Sequence, residues 1–183
     1  MYDEEALAPG YWFMATYEYV DQDREDNREW IGPFIYDQVG ELIWSGAPTF
    51  NGYNVKDFKV SRIGDQDMLT GVYAMGGFGV VLNSSYQVHD FVYVENGSSI
   101  NIHDVHTVDG GAAYLTMTLN STMASEEVLS AIGCESFSDL KYAGFEERDS
   151  ESSSLRFQWS AQDHITVDES FLEPVCNGVW DFL

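Results

Sequence analysis

Ile35-Tyr36-Asp37-Gln38-Val39-Gly40-Glu41-Leu42-Ile43-Trp44 reads as a β-hairpin, because strand-favouring apolar and aromatic residues flank a centre with Asp and Gly, the residues of tight turns. The pattern returns as Val81-Leu82-Asn83-Ser84-Ser85-Tyr86-Gln87-Val88. A second hairpin type comes between them: Asp57-Phe58-Lys59-Val60 turns through Gly64-Asp65-Gln66-Asp67 into Met68-Leu69-Thr70. It returns as His103-Asp104-Val105-His106, turning through Asp109-Gly110-Gly111 into Tyr114-Leu115-Thr116. From Asp37 to Asn83 and from Leu69 to Leu115 is 46 positions in each case, so both types advance by one period. Two hairpins make four strands, the content of one propeller blade, and the period lies in the range for blades.

The first hairpin type appears a third time, from Glu147-Arg148-Asp149 through 150–154 into Leu155-Arg156-Phe157-Gln158-Trp159. It comes late because residues 123–140 are inserted. Within them, Glu126 and Glu127 precede Val128, Leu129 and Ile132, the pattern of a short helix at 125–132 with acids at its positive end. The expected fold is therefore all-β. It is a partial β-propeller over 1–183, with blade-like repeats at 31–76, 77–122 and 142–183 and one short helical insertion at 123–140.

At 183 residues the chain suffices for one domain but not for six blades of roughly 40–50 residues. Thirty-one acids against eight Lys and Arg give a formal charge of −23, which argues against nucleic acid and anionic membrane surfaces as partners. No apolar run approaches the ~18 residues of a membrane helix. The stretch Met1-Tyr2-Asp3-Glu4-Glu5 has no signal-peptide character, so the chain is cytosolic or has lost its true start. Three acceptor triplets at Asn83, Asn96 and Asn120, each beside an expected turn, favour an extracellular protein that has lost its leader. In that setting Cys134 and Cys176 allow one disulfide; two buried free thiols are the equal alternative.

The same segments resemble the arylsulfotransferase family, in particular its secreted eukaryotic branch. The resemblance rests on Gly32-Pro33-Phe34-Ile35-Tyr36-Asp37 running into Gly40-Glu41-Leu42-Ile43-Trp44-Ser45-Gly46, then on Asp57-Phe58-Lys59-Val60 and Met68-Leu69-Thr70. It continues through Gly79-Val80-Val81-Leu82-Asn83-Ser84-Ser85-Tyr86, His103-Asp104-Val105 and Phe157-Gln158-Trp159-Ser160-Ala161-Gln162-Asp163-His164-Ile165. It implies a propeller that moves a sulfuryl group from an aryl sulfate to a phenol through a sulfohistidine, with no cofactor, and with His and Arg groups holding the sulfate oxygens. Carried over by motif, His103 and His164 are the candidate catalytic residues. In the family a His follows the Trp-Asp-aromatic motif after one more residue. Trp180-Asp181-Phe182-Leu183 carries that motif up to the residue before the His, so the resemblance implies an incomplete site and a chain inactive alone. An open last blade would leave unpaired backbone, an edge for self-association.

His106 stands three residues after His103, so on one strand the two face oppositely; His106 and His89 read as surface or core residues. The acidic run 21–27 invites a calcium reading, but Asp26 stands where a calcium loop has its Gly and Gly32 where it has its Glu, so no metal site is expected. Most of Trp12, Trp30, Trp44, Trp159 and Trp180 are read as packing residues. No serine-hydrolase elbow, phosphate loop, zinc set or dinucleotide fingerprint is present, and no motif selects a carboxylate pair for a glycosidase. The rival to the enzyme is a secreted, non-catalytic module that binds a glycan or protein.

Overall fold

The structure, a computed structural model, describes residues 7–18, 25–94, 98–135 and 140–169, without the side chains of 25–27 and 168. It is all-β: three antiparallel sheets, with one short α-helix among the described residues. The chain packs as two units, one reaching to Val92 together with Ile102–Val105, the other made of Tyr93–Asn101 and everything from His106 on.

The first unit holds two sheets. Strands β1 (Tyr11–Thr16), β2 (Gly32–Asp37) and β3 (Leu42–Ser45) form a three-stranded sheet in that order. Strands β4 (Val55–Ile63), β5 (Gln66–Tyr73), β6 (Phe78–Leu82) and β7 (Val88–Val92) form a four-stranded meander. The two sheets share a core of Ile35, Phe50, Val55, Leu69, Val80 and Leu82. Around it Trp44 stacks on Tyr86 at 5.0 Å and on Phe58 at 5.9 Å, and Phe13 meets Phe58 at 5.9 Å. Met68–Val72 of β5 and Gly79–Leu82 of β6 are buried at every position, the mark of strands covered on both faces. On Gly79 of β6 a Cβ would come 3.2 Å from Val105 Cγ2.

In the second unit β8 (Ser98–Val108), β9 (Ala113–Thr122), β10 (Leu140–Asp149) and β11 (Leu155–Ser160) form another four-stranded meander. Helix α1 (Glu126–Ala131) sits where the sequence places it. Ser125 caps it by accepting from the Val128 N–H at 3.3 Å, and Glu126 and Glu127 lie at its positive end. Leu129 and Val128 of the helix join Leu140, Tyr142, Ala161 and Cys134 in a separate core. Cys134 is buried and is not a free thiol; Cys176 lies outside the described residues.

The three hairpins of the first type share one turn. Asp37 Oδ1 accepts the N–H groups of Val39 and Glu41, and Asn83 Oδ1, 46 residues on, accepts those of Ser85 and Gln87. Asp149 does the same for Glu151 and Ser152 in a turn one residue longer. Its carboxyl is held well below the usual range, first by the Ser152 N–H and then by the Arg156 guanidinium. Each turn needs one residue at positive φ, filled by Gly40, Tyr86 and Ser153. Each hairpin also slips register at the same place, between Ile35 and Tyr36, Val81 and Leu82, and Glu147 and Arg148.

Hydrogen bonding groups these hairpins one step differently from the blade boundaries expected at 31–76, 77–122 and 142–183. β3 bonds to β2 and not to β4, so each four-stranded sheet joins a second-type hairpin to the first-type hairpin that follows it. A repeat of fixed length reads the same wherever it is cut, which is why the period contains no information about the cut. β1, which precedes the first repeat, pairs with β2 across the intervening segment.

Candidate functional site

The histidine carried over from the family pattern, His103, stands on β8 in the part that packs with the first unit. The strand beside it is shaped by a bulge in β4. Register passes from Lys56 opposite Val72 to Lys59 opposite Thr70, leaving Asp57 and Phe58 across from Gly71. Gly71 permits this, since a Cβ there would lie 2.9 Å from Val55 Cγ1 and 3.2 Å from the Lys56 carbonyl. Asp57, at φ 52°, turns its carboxylate toward β8 and accepts the Val105 N–H at 2.9 Å. Lys59 Nζ donates to Asp57 at 2.7 Å and to Asp104 at 3.0 Å.

His103 is exposed next to this network. An exposed imidazole has the reach of a nucleophile or base. Its chain neighbour Asp104 points to the other face of β8, where it and Asp57 hold Lys59 between two carboxylates. His164 belongs to the second unit. It is exposed after the short turn Ala161–Asp163, its N–H bonded to the Ala161 carbonyl at 3.1 Å. Its ring lies flat on Trp159, 5.4 Å between centroids and 8° between planes, so packing sets its orientation. His106 and His89 are exposed on β8 and β7.

No family model, curated protein or solved structure matches the chain. Among the described residues no group of three or more His, Cys, Asp or Glu could hold a metal ion, and no helix is long and apolar enough to cross a membrane. Residues 21–24 of the acidic run, Asn96, Cys176 and Trp180 lie outside the described residues.

A cleft of about 250 Å³ opens between the two sheets of the first unit. Phe13, Ile35 and Leu69 line it together with the exposed Tyr11, Ile43 and Val60, and Asp67, Asn83 and Ser84 supply polar groups. Sequence reasoning passed over it. Its lining is strand residues with the turn residues Asn83, Ser84 and Tyr86, distant in the chain and gathered only by sheet packing. The exposure of large apolar side chains on successive strands, the one signal that marks it, is a property of the folded surface.

Proposed function

We propose that this chain is a segment of an arylsulfotransferase-like β-propeller, with its sheets as successive blades, that does not transfer sulfuryl groups by itself. The observation that carries the reading is the repetition of one aspartate-or-asparagine turn and one register slip at a spacing of 46 residues, since a propeller is built from such radial copies. What supports inactivity is the state of the lysine on the strand beside the one that carries His103. Sulfuryl transfer needs uncommitted cations on the sulfate oxygens, and that lysine is neutralised twice over. Secretion, a Cys134–Cys176 disulfide and phenols or aryl sulfates as ligands belong to the same proposal.

The test is an assay of the purified chain with an aryl sulfate donor and a phenol acceptor. No turnover above buffer is expected. Robust turnover that His103→Ala abolishes would overturn the inactivity. The second reading, a non-catalytic binding module, draws on the open cleft of the first unit, which has apolar walls and a few polar groups, the general make-up of a binding site.

A further inference from the structure

Asn83 differs from its counterparts Asp37 and Asp149 by a side-chain amide nitrogen, within the triplet Asn83-Ser84-Ser85. The turn uses only its oxygen, which takes the N–H groups of Ser85 and Gln87 at 2.9 and 3.1 Å. Asp37 meets the same need with a carboxylate, so the fold asks this position for an acceptor and nothing more. Asn83 Nδ2 has no hydrogen-bond partner among the described residues, and Ser84 and Ser85 are exposed beside it.

Asn120 is in the opposite position. It stands on β9 opposite Tyr142, its oxygen takes the Ser98 hydroxyl, and its nitrogen donates to Ser160 Oγ at 3.2 Å. A sugar on that nitrogen would break its bond to Ser160 and crowd the side chains of β8 and β11 on that face of the sheet.

We propose that Asn83 is an N-glycosylation site, that Asn120 is not, and that the first sugar on Asn83 lies over the cleft it lines. In the transfer, Asn83 Nδ2 attacks the anomeric carbon of a lipid-diphosphate-linked oligosaccharide. The N–C bond forms, the C–O bond to phosphate breaks, the lipid diphosphate leaves with the electron pair, and one amide proton is released. The cleft gives the sugar a surface: Tyr11, Ile43 and Val60 are 62%, 49% and 47% exposed around its mouth. The C–H face of a pyranose meets an aromatic or aliphatic wall favourably, and covering it removes apolar area from water. This goes beyond the propeller reading and rests only on the secretion stated with it.

The experiment expresses the full chain behind a secretion leader in glycosylating cells and reads each acceptor peptide by mass spectrometry. The Asn83 peptide is expected to carry a glycan and the Asn120 peptide to be bare. Asn83→Asp should lose that glycan while retaining far-UV circular dichroism and a cooperative melt, because Asp serves the equivalent turns. Ser85→Ala, which removes the acceptor triplet but keeps Asn83, should do the same. Both should bind more of an apolar-surface dye than the glycosylated parent. A bare Asn83 peptide, in the medium or in chain retained by the cells, overturns the assignment, as does a glycan on Asn120 in folded chain. Dye binding equal in parent and variants overturns the placement of the sugar over the cleft.

Discussion

Asp37, Asn83 and Asp149 do one job in three hairpins, and their chemistry says what the job requires. Each offers an oxygen to two backbone N–H groups of its own turn. Charge is not required, because Asn83 succeeds with a neutral amide. Asp37→Asn should therefore leave stability nearly unchanged. Asp37→Ala, which leaves two donors to water, should cost about 1–2 kcal/mol. Urea denaturation of both variants checks the contrast, and equal losses would refute the role assigned to the oxygen. These turns were legible in the sequence, since an Asp or Asn between two strand-like runs is local information. The Asp57 contacts were not, because its partners Lys59 and Val105 meet it only after the β4 bulge has turned the carboxylate toward β8.

Among the elements, β10 departs most from what its pattern implies. Glu146 is completely buried at the position that Phe34 and Val80 fill in the two earlier hairpins. Its carboxylate takes the Arg148 Nε–H at 2.9 Å, two residues along the same strand face. Opposite it across the ladder stands Thr116, whose buried hydroxyl, like that of Thr118, has no hydrogen-bond partner among the described residues. Arg148→Met should destabilise by about 3 kcal/mol or more, because it takes a partner from a buried charge. Thr116→Val should cost nothing or stabilise slightly, because the hydroxyl it deletes is already unsatisfied. Urea midpoints of the two variants test both statements. The hairpin that begins at Glu147 was legible, but the burial of Glu146 just before it was not: period-2 reading assigns charges to the solvent face. β1 escaped sequence reading for a related reason. Tyr11-Trp12-Phe13-Met14 has no alternation, and residues 17–31 separate it from its partner β2, so no tight turn announces the pair.

At the scale of the whole molecule the dominant fact is 31 acids against eight Lys and Arg. Such a surface repels itself, and folding concentrates the repulsion. Raising sodium chloride from about 20 to about 300 mM should therefore raise the Tm by a few degrees through screening alone. Calcium at matched ionic strength should add nothing further, and a larger calcium effect would reveal a cation site. The repeat length was legible at this scale, because hairpin chemistry recurs in the residues themselves. The grouping of hairpins into sheets was not, because it is decided by which strands pair across a connection and the spacing is silent on that.

Asn54, buried behind β4, gives its amide hydrogen to the Glu18 carbonyl at 2.9 Å and takes the Glu18 N–H at 3.0 Å. One side chain thereby imitates a neighbouring strand for a single residue. A primary amide carries an uncharged donor and an acceptor side by side, the pair that one residue's C=O and N–H call for. Glu18, just past β1, is thus tethered to the interior 36 residues further along the chain, and a carboxamide at position 54 suits both of its backbone groups.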